Sequence, residues 1–306
     1  MNLLDTSFLE DNYTEIKETK IEGRHITLDD IEPLYQNLSS IIKSTIIGKS
    51  EEERNIYQLK LGTGKIKILI WSQMHGNEST GTKAVFDFLN FIKLNTTSEI
   101  VNTILKNCSI TIVPMLNPDG AEVYTRVNAN NVDLNRDAVA LKAKESKLLR
   151  AILTKVNPDF CFNLHDQRTI FGVEGTNNPA TISFLAPSEE KTRKLTEGRK
   201  LTMNVIVAMN KLLQKVIPNH IGRYTDEFYP TATGDNFQKL GFNTILIEAG
   251  HFPNDYDREE VRKFNFFALV QGLFHIASAS NYDEYLPYFD IPNNQKNFFD
   301  VIEKST

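Results

Sequence analysis

Cysteine is scarce in this 306-residue chain. There are two, Cys108 and Cys161, and they form no CxxC pair, so neither a thiolate metal site nor a dithiol redox motif finds support. Both lie in or beside apolar runs, and two buried free thiols are expected in place of a disulfide. Long apolar runs are missing as well. None approaches the roughly 20 residues that span a bilayer, and the N-terminus, Met-Asn-Leu-Leu-Asp-Thr-Ser-Phe-Leu-Glu-Asp, carries acids where a secretory leader needs a basic start. No membrane association and a cytoplasmic setting are the expectation. Basic tracts are also absent. With a net charge of -5 and a pI near 5.8, the chain has no electrostatic footprint for nucleic acid, and small substrates are the better partners. Nothing in the sequence bears on oligomeric state.

No internal repeat, low-complexity tract or long linker interrupts the chain, which points to one domain over 1–306. Residues 1–50 read as an N-terminal helical extension, with Thr27 capping a helix over 28–43. Residues 281–306, rich in aromatics such as Tyr282, Tyr285 and Phe298, read as a segment docked on the body. Between them, apolar β-type runs at Ile56–Leu61, Ile66–Ser72, Ser109–Pro114, Phe160–Leu164, Thr181–Leu185 and Thr244–Glu248 alternate with helical patterns near 79–94, 138–156, 188–215 and 257–279. The first two runs, joined by Gly-Thr-Gly, read as a hairpin. This alternation predicts an α/β layer around a mostly parallel sheet, whose ligands collect beyond the carboxyl ends of the strands.

Those ends carry the unusual residues. One strand runs out into His75-Gly-Asn-Glu78, another into Leu164-His165, a third into Ile247-Glu248. Each taken alone is unremarkable, since a single His after a strand is more often structural than a ligand. Together, two imidazoles and a carboxylate are the ligand set of an open catalytic zinc site. Glu248, isolated after apolar residues, suits a general base. The amide-rich loop between them holds Arg126 and Arg136, the latter a planar fork suited to a carboxylate. His25, His220, His251 and His275 read as structural, and Phe264, Phe267, Leu269, Val270 and Leu273 as core packing.

His75-Gly-Asn-Glu78, Asn117-Pro-Asp-Gly120, Thr125-Arg126, Asp133-Leu-Asn135-Arg136, Leu164-His165 and Ile247-Glu248 occur in the order found in zinc carboxypeptidases of the M14 type. The chain resembles that family over roughly residues 55–250. The resemblance implies a three-layer α/β/α fold with a mixed, mostly parallel eight-stranded sheet, and one zinc ion on His75, Glu78 and His165. It further implies hydrolysis of a C-terminal amide bond by metal-activated water, with Glu248 as base and Arg126 polarising the carbonyl. Asn135 and Arg136 would hold the terminal carboxylate, Asp133 would support His75, and Tyr229, or alternatively Tyr224, would fold over the substrate. Asp235 would favour a basic side chain if it faced the pocket. The partner is then a peptide or N-acyl amino acid with a free carboxylate. Two other readings stay open: an N-acyl amino acid amidohydrolase of the aspartoacylase or succinylglutamate desuccinylase kind, and a metal- or peptide-binding protein without catalysis.

Overall fold

Residues in the central strands alternate between two apolar environments, and that period of two separates the layers. The computed structural model describes residues 1–299. In chain order the helices are α1 (Thr6–Ile16), α2 (Leu28–Ile31), α3 (Thr80–Leu94), α4 (Glu99–Asn107), α5 (Pro118–Glu122), α6 (Lys144–Val156), α7 (Glu197–Val216), α8 (Thr233–Lys239) and α9 (Glu259–Ser278). The strands are β1 (Lys43–Lys49), β2 (Asn55–Leu61), β3 (Ile66–Trp71), β4 (Cys108–Val113), β5 (Phe160–Asp166), β6 (Phe171–Val173), β7 (Ile182–Leu185), β8 (Ile221–Arg223), β9 (Asn243–Ala249) and β10 (Asn294–Lys296). Eight of these form one mixed sheet in the order β1-β2-β4-β3-β5-β9-β7-β8, with the central β4-β3-β5-β9 block parallel.

Ile68 and Ile70 of β3 and Phe160, Phe162 and Leu164 of β5 face the layer of α3, α7 and α9. Their neighbours Leu69, Trp71 and Cys161 face the opposite layer, of α6 and α8. Helix α9 is apolar nearly all round and is buried accordingly. Both cysteines are buried and free.

Three expectations fail. The helix predicted over 28–43 stops after one turn at Ile31, continues as a 3₁₀ segment over Glu32–Asn37, and gives way to edge strand β1. Pro33, with no N–H to give, sits at the start of that 3₁₀ segment. Segment 1–50 therefore contributes to the sheet and is not wholly a helical extension. The hairpin read across Gly62-Thr-Gly64 does not form: β4 inserts between β2 and β3, and the antiparallel partner of β2 on its other side is β1. Asn117-Pro-Asp-Gly120, read as a turn, opens the short helix α5, with Asn117 as its cap. At the other terminus, β10 pairs with β6 and the Tyr288 hydroxyl accepts the Ala186 N–H. Residues 300–306 of the predicted C-terminal segment lie outside the described residues.

Candidate metal centre and active-site cleft

The carboxyl ends of β3, β5 and β9 open at one edge of the sheet. After β3 the chain must turn sharply, and Gln73 adopts a left-handed backbone at φ 47°, a strain that persists only where surrounding contacts impose it. Here its buried amide donates to the carbonyls of Ile26 and Gly76. Gly76 is required because the turn touches α5: a Cβ there would meet the Gly120 carbonyl carbon at 1.9 Å. Asn117 joins the two turns, donating to the Met74 carbonyl and accepting from Gly120 N–H. Asn77 N–H donates to the Thr125 carbonyl, which brings the loop bearing Arg126 alongside.

His165 and Glu248 are register partners on the adjacent parallel strands β5 and β9, so their side chains leave the same face of the sheet. That is the face of Cys161 and Leu246, toward α8. The result is a cavity of about 230 Å³ whose wall includes His75, Glu78, Arg126, Asn135, Arg136 and His165. Tyr229 and Glu248 complete the set of site residues singled out in the sequence, and all eight meet there.

The three candidate ligands converge tightly. His75 Nδ1 is 2.8 Å from Glu78 Oε1, His165 Nδ1 is 2.8 Å from Glu78 Oε2, and the two Nδ1 atoms are 3.1 Å apart. Hydrogen bonds alone do not account for this. His75 Nε2 faces Asp133 Oδ1 at 3.1 Å and takes the ring proton, while the Arg126 guanidinium, which can only donate, faces His75 Nδ1 at 3.2 Å. Nδ1 of His75 is thus a lone pair, aimed at the same point as a second imidazole and a carboxylate. A tetrahedral zinc ion with bonds of about 2.0–2.2 Å separates its ligands by roughly 3.4 Å, close to the observed spacing. The donor set, its burial and its shape fit zinc. In that tautomer the His165 Nε2 proton has no acceptor among the described residues.

Asp133 organises the rest. It caps the 3₁₀ turn Leu134–Arg136 through Asn135 N–H, accepts from His75 Nε2, and receives Arg126 Nε at 3.0 Å. Burial opposes its ionisation, but hydrogen bonds and charges from His75 and Arg126 hold its carboxyl well below the usual range. One carboxylate thereby sets the orientation of a metal ligand and of an arginine, an outer-shell role of the kind that tunes metal sites. Glu248 is shifted the other way. Burial first, then the negative charges of Glu78 and Asp166, push its carboxyl well above the ordinary carboxylate value, whereas a nearby divalent cation acts against such a shift.

Asn135 Oδ1 accepts the Thr233 N–H at the start of α8. Arg136 donates to the Asn135 carbonyl at 2.9 Å, lies 6.0 Å from the centroid of the Tyr229 ring, and has no carboxylate partner among the described residues. Tyr229 is half exposed, with its hydroxyl on Glu227 at 2.7 Å. Tyr224 also lines the cavity, packed edge-on against Phe171, and burial together with the Glu248 charge pushes its phenol up to about 12. Asp235 does face the cavity, accepting the Tyr229 N–H, and burial raises its carboxyl to about 6. His251 is not in the wall; it packs edge-on against Phe298 at 5.1 Å. The sequence reading missed Asp166, Gln167 and Arg168, although a polar run directly after His165 at a strand end was a visible signal.

Residues 27–165 match the profile of the zinc carboxypeptidases. Over this segment, a little under half of its length, the chain resembles the zinc carboxypeptidases. The matched range holds His75, Glu78 and His165, and ends before Glu248. Carboxypeptidase SOL1 of Arabidopsis thaliana is 27% identical over 194 residues, covering 56% of this chain and 40% of the plant protein. Carboxypeptidase D of Homo sapiens is 29% identical over 120 residues, 34% of this chain and 8% of the human one. The chain thus spans less than half the length of these relatives. In fold, it is similar to carboxypeptidase A from Helicoverpa armigera, with a TM-score of 0.64 at 16% identity, covering 90% of this chain and 81% of the other. It is similar also to a metallo-carboxypeptidase from Burkholderia cenocepacia, with a TM-score of 0.62 at 19% identity over 80% of this chain and 66% of that one. Among the described residues, no helix is long and apolar enough to cross a membrane.

Proposed function

We propose that residues 1–306 act as one catalytic domain that removes single residues from the free C-terminus of a peptide. The observation that carries this reading is Arg136: a guanidinium with no carboxylate partner among the described residues, in the same cavity as the His75–Glu78–His165 cluster. An arginine without a counter-charge at the wall of a cleft is a ready fork for a terminal carboxylate, and a substrate held there is cut beside its free end. Asn135 adds an amide donor, and Tyr229 stands over the fork.

A single zinc ion on His75, Glu78 and His165 would supply Lewis acidity toward a carbonyl and lower the pKa of a water molecule. The protein's own groups do the rest. Glu248, held beside His165 by strand register, takes a proton on its carboxylate and returns it to the leaving nitrogen. Its enclosed setting, where burial raises the carboxyl above its ordinary value, strengthens it as a proton acceptor. Arg126, steered by Asp133, offers its remaining N–H groups to the oxygen on which negative charge develops. An N-acyl amino acid presents the same carboxylate to Arg136, but a second, larger groove beside the cavity suits a longer chain. Retention of a base at Glu248 and an oxyanion donor at Arg126 argues against a protein that only binds.

Metal analysis with mass-spectrometric product mapping on mixed peptides and N-acyl amino acids tests the proposal. One zinc per chain, and release of single C-terminal residues that amidation of the substrate blocks, is the expected result. Equal cleavage of amidated peptides sinks the exopeptidase reading.

A further inference from the structure

Beside the catalytic cavity lies a groove of about 700 Å³, which shares Glu78, Arg126, Asp166, Gln167 and Arg168 with it. Its remaining wall includes Arg24, Asn77, Ile170, Arg258 and Phe298. Four arginines therefore border one groove in a chain whose net charge is -5. Two of them are committed. Arg258 lies 3.2 Å from Asp166 Oδ2 and donates to the carbonyls of Ala249 and Gln167. Arg126 is held by Asp133 and Glu78.

Arg24 and Arg168 differ. Neither has a carboxylate partner among the described residues; Arg24 instead lies over the Tyr256 ring at 5.5 Å, and Arg168 is exposed where the two cavities join. The acidic groups of the groove, Glu78 and Asp166, already have cationic partners in Arg126 and Arg258, so the guanidiniums of Arg24 and Arg168 are left in excess in its wall. A cleft whose wall carries an excess of one sign of charge focuses its field and concentrates oppositely charged ligands.

We propose that this groove selects acidic peptides, holding one or more carboxylate side chains upstream of the scissile bond against Arg24 and Arg168. The inference rests on the carboxypeptidase reading above and adds the substrate class. The small cavity, with Arg136 and Asp235, takes the residue to be released; the larger groove takes what precedes it. Ile170 and Phe298 line the groove for the aliphatic stems of such side chains, and the arginines meet their ends. A short dicarboxylic acyl group on a single amino acid carries the same charge, but its length leaves most of the groove unused.

The test uses the zinc-loaded full chain and three substrates ending in the same residue. One is a peptide with two upstream Glu residues, the second its Gln twin, the third an N-succinyl amino acid. The expected kcat/KM favours the Glu peptide over the Gln peptide by about 5- to 20-fold at low salt. That ratio shrinks as salt rises, falls toward one in the Arg24→Gln/Arg168→Gln double variant, and is partly kept by Arg168→Lys. Equal rates for the two peptides, or a ratio untouched by the double substitution, overturns the proposal while leaving the carboxypeptidase reading intact. Fastest turnover of the N-succinyl substrate with no Glu preference assigns the groove to short acyl groups and overturns it too. If no substrate is cut, fluorescence anisotropy of the labelled Glu and Gln peptides decides: tighter, arginine-dependent binding of the Glu peptide keeps the groove and sinks the hydrolase, and equal binding sinks the groove.

Discussion

Two clusters of buried charge, one along α3 and one at the strand ends ahead of its first turn, have been resolved in opposite ways. Along the helix, Arg262 of α9 meets Asp87 of α3 in a bidentate pair at 2.6 and 2.7 Å, both side chains fully buried. All five of its N–H groups are used, the others reaching Glu259 and the carbonyls of Glu18 and Ile21. Lys83 is likewise held by Glu259 and by the carbonyls of Gly23 and Asp257. This cluster ties the N-terminal segment to α3 and α9 and leaves nothing over. At the strand ends, His75, Glu78 and His165 point lone pairs at one spot, and Arg136 presents a fork with no carboxylate partner among the described residues. A closed network is architecture. A network with surplus lone pairs on one side and a surplus cation on the other is built for something that arrives from outside.

Substitutions should separate the two. His75→Ala is expected to abolish peptide hydrolysis and most zinc binding, with the loss of zinc read by metal analysis; an unchanged zinc content would dissolve the distinction. Glu248→Gln should lower kcat by roughly 10²–10⁴-fold while zinc content and melting temperature stay near wild type, measured by steady-state kinetics and calorimetry. Asp87→Ala should do the reverse. Stranding a buried Arg262 costs about 3–5 kcal/mol, seen as a lowered denaturation midpoint, with zinc still bound by the folded fraction. Arg136→Ala should raise KM for free-carboxylate peptides by about 10- to 100-fold with little change in kcat.

The smallest effect concerns pH. Asp235 has its folded pKa raised to about 6 by burial, above an unfolded value of about 3.9. Its contribution to stability is therefore full below about pH 4 and is lost as pH rises through about 6. Asp235→Asn should match wild type at pH 4 and exceed it by up to roughly 3 kcal/mol at pH 7, as followed by denaturant titration at both values. A constant difference across that range would place the burden on packing instead.

The candidate site was legible because strand ends are local events. An apolar run that stops at a His or Glu announces both a strand and an exit from the core, and His75, Glu78, His165 and Glu248 were found that way. Pairing is not local. The hairpin across Gly62–Gly64 was misread because β4, almost fifty residues on, supplies a partner to both β2 and β3. The segment 28–43 was misread because Leu34, Leu38 and Ile42 satisfy helical spacing, and strand β1, which follows it, was missed because its place in the sheet is decided by β2. Asp87 and Arg262, 175 residues apart, carry no mark of one another in the sequence at all.

The sequence by itself therefore determined the α/β alternation and the chemistry at the strand ends, since each follows from period and from residue type, and its motif order carried the resemblance to the zinc carboxypeptidases. Tertiary structure alone decided that His165 and Glu248 share a face through register, that Asp133 serves both His75 and Arg126, and that Arg24 and Arg168 border one groove. The reason is physical: side-chain chemistry is a property of residues, but whether a charge is matched or left over depends on which distant partners folding brings within hydrogen-bond reach.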